Sequence, residues 1–189
     1  MTLSQFRTLW KTDTQRLRYI HGGVMHWLLV DPFLNVVFWF RIISYLQGMG
    51  GVFMLVGKVL EIIYSWLCCL IGVSLPIGTK IAGGFALHHA LGSVINRNSQ
   101  IGANVTILQN VTIGIKRPSN IVAPIIGNNV VLCAGAQIIG DIKIGDNAVI
   151  GAGTVVTKDI PAGAVAVGSP ARIISYDGLK ISEEYRILG

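Results

Sequence analysis

The chain has 189 residues, enough for one substantial core with a smaller accessory region and too few for several independent domains. Hydrophobic residues make up 52% and charged residues 13%, which excludes a disordered chain and leaves few charges for a solvated shell. The net charge of +6 would suit an anionic ligand or a membrane surface, but the basic residues are scattered without aromatic interleaving, so no nucleic-acid partner is expected.

In chain order, Met1 to Arg18 is polar and basic, with Arg7, Lys11, Arg16 and Arg18, and no signal-peptide pattern follows it. A cytoplasmic protein is expected. From about Trp27 to Gly72 the chain is strongly apolar, interrupted at Asp31-Pro32 and at Gly48-Met49-Gly50-Gly51, which predicts two helices. Asn35, Arg41, Ser44 and Gln47 recur at helical spacing in the first, and Lys58, Glu61, Ser65 and Cys68 in the second, so each carries a narrow polar stripe beside a wide apolar face. Val52 to Ile71 is long enough to cross a bilayer. Lys58 and Glu61 would each cost about 2–3 kcal/mol near its centre, which favours peripheral membrane contact at the inner face, or packing between subunits, over a span. Cys68, Cys69 and Cys133 have neither metal-site nor disulfide spacing, so no metal is expected and the thiols should be reduced.

From Ile77 onward the period becomes six. Aliphatic residues fall at Ile77, Ile95, Ile101, Ile107 and Ile113, with Ile81, Leu87, Val105 and Val111 read as a second row four positions on. After a slip of one across Lys116 to Pro124 the frame resumes at Ile126, Leu132, Ile138, Ile144, Ile150 and Val156. The second row then runs through Val130, Ala136, Ile142, Ala148, Thr154 and Ile160. Two inward side chains per six residues suit short flat strands joined by tight turns of Gly and Asn. Three hexads close a triangular coil, and stacked coils bury one aliphatic column. An ordinary parallel sheet would need crossover helices that the chain lacks. The expected fold is mainly β: a parallel β-helix over residues 74–172, after an apolar helical lead-in over 1–73 and before a tail over 173–189. The slip at Lys116 to Pro124 predicts a loop leaving the column, a natural place for substrate contacts.

The repeat from Ile77 to Ile160, closed by Val167-Gly168-Ser169-Pro170-Ala171-Arg172, resembles the hexapeptide-repeat acyltransferases. That resemblance implies a left-handed β-helix, an acetyl-CoA donor and a homotrimer. Leu87-His88-His89-Ala90-Leu91-Gly92 and Ile107-Leu108-Gln109-Asn110-Val111-Thr112-Ile113-Gly114 resemble the serine acetyltransferase branch, and Phe40-Arg41-Ile42 and Tyr45-Leu46 are similar to its helical lead-in. The resemblance implies His89 as general base and His88 as an acceptor contact. It also implies Ala134, Gly135, Ala152, Thr157, Lys158 and Arg172 as contacts to CoA. In the hexad frame, His89 stands where an aliphatic residue is the rule. A neutral imidazole there can take the proton of an alcohol as it attacks a thioester, without a covalent acyl-enzyme. Cys133, in an apolar run with no histidine nearby in sequence, is a poor nucleophile candidate.

Three positions depart from the branch. The acid that orients the histidine aligns with Ser74, the acid before it with His88, and the Arg-His pair that holds the amino acid's carboxylate with Val122 and Ala123. Lys116 and Arg117 are the nearby cations. Without a carboxylate clamp, the expected acceptor is a sugar hydroxyl of a surface polysaccharide or its lipid-linked precursor. Serine is the alternative acceptor, and a non-catalytic scaffold trimer the alternative from outside enzymology.

Overall fold

The computed structural model describes residues 2–21, 32–119 and 121–188. Three helices come first: α1 (Leu3–His21), α2 (Pro32–Met49) and α3 (Gly51–Leu70). The break between α2 and α3 falls at the predicted glycines, where Gly50 and Gly51 both have positive φ (75° and 55°) that lets the chain reverse within two residues. The Trp27 to Asp31 part of the predicted first helix lies outside the described residues. The two helices pack closely because Gly57 has no side chain: a Cβ there would sit 2.8 Å from the Gln47 Cγ.

The remainder is a three-sided column of parallel strands. One face holds β1 (Lys80–Ile81), β4 (Gln100–Ile101), β7 (Ile125–Ile126) and β10 (Lys143–Ile144). A second holds β2 (Ala86–Leu87), β5 (Thr106–Ile107), β8 (Val131–Leu132), β11 (Val149–Ile150) and β13 (Val165–Val167), with β14 (Arg172–Ser175) added antiparallel. The third holds β3 (Val94–Ile95), β6 (Thr112–Gly114), β9 (Gln137–Ile139) and β12 (Val155–Val156). After β14, α4 (Gly178–Leu188) packs back on the column, where Tyr185 and Ile181 meet Val131, Val149 and Val165.

The predicted first row is the core: Ile107, Ile113, Leu132, Ile138, Ile144 and Ile150 are all within 2% of full burial. Each such side chain contributes about 1.5–3 kcal/mol relative to exposure. Asparagines turn one corner, and Asn104, Asn129 and Asn147, all at positive φ, stack as a ladder with amide hydrogen bonds of 3.1 and 3.0 Å. The side-chain amide thus serves both the turn and the contact between coils.

The register corrects one assignment. Ile81 pairs with Ile101 and Leu87 with Ile107, so both belong to the first row and not the second. The regular coil is eighteen residues, as in Val94 to Thr112 and Ile125 to Lys143. Lys80 to Gln100 takes twenty, and Gln100 to Ile125 takes twenty-five. The column therefore carries two excursions, one of two residues and one of seven. The longer one lies between Gly114 and Ile125, where the frame slip predicted a loop.

Candidate active site

Corner geometry sets the first excursion. His88 N–H donates to Ile107 O, and Leu108 N–H to Leu132 O, so His88 stacks on Leu108. Asn110 N–H donates to Leu91 O, and Gly135 N–H to Gln109 O, so Leu91 stacks on Gln109. Leu108 and Gln109 are adjacent, whereas His88 and Leu91 are separated by His89 and Ala90. Those are the two extra residues. His89 is therefore not a polar intruder in the aliphatic row, as the hexad frame implied; it stands on a bulge at the corner, exposed, while Ala90 turns inward and is fully buried.

The bulge is built tightly. His89 has φ 50°, and the other non-glycine residues at positive φ among those described are all asparagines in corner turns. A histidine in that conformation is uncommon and concentrates at functional sites. Leu91 N–H closes the turn on His89 O at 2.7 Å, and Ser93 N–H donates to Ala90 O at 3.0 Å. From above, Gly92 N–H donates 2.7 Å to Gly72 O at the exit of α3, where a Cβ would come within 2.9 Å of Leu91 Cδ1. The end of the helical region thus clamps the histidine turn.

Sequence reasoning missed a second clamp. Asp13, Arg16 and Arg41 are buried, at 5%, 8% and 3% exposure. Asp13 accepts from Gly84 N–H at 2.6 Å and Phe85 N–H at 3.1 Å, and pairs with Arg41 Nε at 2.9 Å. Arg41 also donates to Ile81 O and Ala82 O, and Arg16 to Gly84 O and Thr106 Oγ1. Burial pushes the Asp13 carboxyl above its ordinary value, while Arg41 and the two backbone N–H groups pull it down. The polar stripe of the first apolar helix therefore faces the column in part, bolting α1 and α2 to the chain just before His88. The single signal in sequence was Arg41 inside a strongly apolar helix.

His88 is half-buried beside the bulge. Ser74 is exposed and bridges to Val94 on the third face; no hydrogen bond joins it to His89 among the described residues. In the longer excursion Ala123 is buried and Val122 is 45% exposed, with Lys116 and Arg117 exposed. Neither Val122 nor Ala123 has a side chain that pairs with a carboxylate.

The six residues expected at CoA fall into two groups. Ala134 accepts from Gly153 N–H, so Ala134 and Ala152 continue the ridge of Leu91 and Gln109 two and three coils below the histidine turn, with Gly135 (φ 72°) and Gly153 (φ 65°) completing a corner of small residues. Thr157, Lys158 and Arg172 line a groove of about 490 Å³ past the other end of β12, with Pro170, Ala171 and Ile173. A smooth ridge for an extended arm and a groove with two cations suit a long chain ending in phosphates. Cys133 is half-buried against Tyr185, and burial pushes its thiol up, so the thiolate needed for nucleophilic chemistry is disfavoured. No cluster of three or more metal-ligating side chains occurs among the described residues.

Residues 123–158 match the family model for the bacterial transferase hexapeptide (six repeats). Over 115 residues the chain is 37% identical to the serine acetyltransferase of Staphylococcus aureus (strain Mu50 / ATCC 700699), covering 60% of this chain and 54% of that one. It spans about half the length of the curated relatives it matches. Among solved structures, the soybean serine acetyltransferase apoenzyme superposes with a TM-score of 0.77 at 31% identity, covering 90% of this chain and 69% of that one. A serine acetyltransferase in complex with CoA superposes at 0.73 and 29% identity, covering 91% and 71%.

Column, corner histidine and repeat together define a hexapeptide-repeat protein with a left-handed parallel β-helix and an N-terminal helical region. Within that class, the chain belongs to the serine acetyltransferase-like family.

Proposed function

We propose that the protein is an acetyl-CoA-dependent O-acetyltransferase with His89 as general base. The observation that carries this reading is the placement of His89 on a two-residue bulge at the head of the small-residue ridge formed by Ala134 and Ala152. An acetyl thioester lying along that ridge would bring its carbonyl toward the imidazole. The neutral imidazole takes the hydroxyl proton as the acceptor oxygen attacks the carbonyl; the tetrahedral oxyanion then collapses, expelling the CoA thiolate, which recovers the proton from the imidazolium. One C–O bond forms and one C–S bond breaks.

The comparisons favour L-serine as acceptor, because the relative and the neighbouring structures are serine acetyltransferases. A sugar hydroxyl of a polysaccharide precursor is the second reading, favoured by Val122 and Ala123 in the loop where a carboxylate clamp is expected. A homotrimer accompanies both readings, supported by the family likeness. The test is thiol release from acetyl-CoA with L-serine and with a lipid-linked oligosaccharide, each product weighed by mass spectrometry. O-acetylserine formed at sub-millimolar serine assigns the first acceptor, and glycan acetylation with feeble serine turnover assigns the second. Absence of thiol release with both, in wild-type protein that binds CoA, would turn the reading toward a scaffold.

A further inference from the structure

Helix α3 has three faces, and only one is occupied. Gly57, Tyr64 and Cys68 are buried, and Tyr64 OH donates 2.8 Å to Leu75 O at the start of the column, fixing that side of the helix. On the opposite side Val52, Val59, Ile62, Ile63, Trp66 and Leu70 are each at least 60% exposed. At 3.6 residues per turn these six fall within an arc of about 100°. Six large apolar side chains so exposed on one arc differ from the singly scattered apolar residues that are normal on a protein surface.

Charge decides what covers this face. Lys58, Ser65 and Cys69 form a flank bordering the apolar arc, which puts Lys58 at the level of headgroups if the arc is immersed. Among the described residues of α1, α2 and α3, the exposed ionic side chains are Arg7, Lys11 and Lys58; Asp13 is buried and Glu61, half-buried, accepts from Gln47. Lys58 beside the arc, with no exposed acidic side chain on these helices among the described residues, favours an anionic bilayer as the occupant of this face. The opposite side packs on α2 through Gly57 and is tied to the head of the column by the Tyr64–Leu75 hydrogen bond, which favours a helix lying in the surface over one that crosses it.

We infer that α3 docks in the plane of an anionic lipid surface, immersing the Val52–Leu70 apolar arc with Lys58 at the headgroups. The inference is independent of the acceptor's identity. Its test is flotation of the full-length protein with vesicles of phosphatidylcholine alone or mixed three to one with phosphatidylglycerol, beside light scattering. Wild type floats, more strongly with the anionic vesicles. V59E/I63E, placed on the exposed arc to spare the fold, loses at least tenfold of the bound fraction at unchanged oligomer size. K58Q loses about fivefold on anionic vesicles, the factor corresponding to one cation near a charged surface, and nothing on neutral ones. Wild type remaining at the bottom of both gradients, or V59E/I63E floating as wild type does, would overturn the inference. A fall in oligomer size in V59E/I63E, with no flotation of wild type, would assign the face to a second copy of the chain instead.

Discussion

Replacing Asp13 with alanine tests whether the helical region is bonded to the histidine turn or only rests beside it. Three consequences follow in the structure. Arg41, 3% exposed, keeps its charge without its carboxylate, and Gly84 N–H and Phe85 N–H lose the oxygen they share. Breaking a buried ion pair from one side typically destabilises by about 3–5 kcal/mol, and the orphaned backbone donors act in the same direction. For a chain of this size that corresponds to a melting temperature lower by about 6–20 °C. Asp13→Asn, which keeps an acceptor oxygen but not the charge, should fall in between. The double variant D13A/R41M removes the stranded cation and should recover part of the loss, giving a coupling of at least about 1 kcal/mol in a double-mutant cycle. Calorimetry measures these proteins together with the R41M single variant that closes the cycle, and acetyl transfer measured well below the lowest melting temperature reports the histidine turn. A D13A melting point within about 2 °C of wild type, or losses that simply add in the double variant, would refute the clamp.

His89→Ala should lower acetyl transfer by about a hundredfold or more with melting temperature unchanged, because an exposed imidazole on a bulge contributes chemistry and little packing; activity within a few-fold of wild type would remove it as the base. Lys158→Ala and Arg172→Ala should each raise KM for acetyl-CoA about two- to fivefold with kcat preserved, the scale of exposed charge pairs, and initial-rate kinetics separate the two constants. Ile138→Ala, at a fully buried site in the column, should destabilise by about 2–5 kcal/mol, read as a shift in the denaturation midpoint. In thiol labelling at mild alkaline pH, exposed Cys69 should react first, because burial raises the Cys68 and Cys133 thiols above their ordinary value; peptide mapping identifies the order.

The β-helix was legible in the sequence because its order is local: each hexad carries its own turn residue and inward side chain, and a period of six survives without knowledge of any distant contact. The break between α2 and α3 and the excursion after Gly114 were legible for the same reason, as glycines and as a slip of one in the frame. His89 could be picked out, but the reason read from the frame was mistaken, since a two-residue insertion displaces the count. Only the strand register, with His88 on Leu108 and Leu91 on Gln109, shows that His89 stands outside the column and Ala90 takes the inward place. The clamp of Asp13, Arg16 and Arg41 was not legible. Apart from Thr106 Oγ1, its partners on the column are backbone groups of Ile81, Ala82, Gly84 and Phe85 some forty to seventy residues away, and any sequence presents a backbone C=O or N–H there. Likewise the apolar pattern of α3 foretold a wide greasy face, but which side meets the column and which meets solvent was decided by where Tyr64 and Cys68 found their seats. Periodicity specifies what each segment can bury; the packing of one segment on another selects what it does bury.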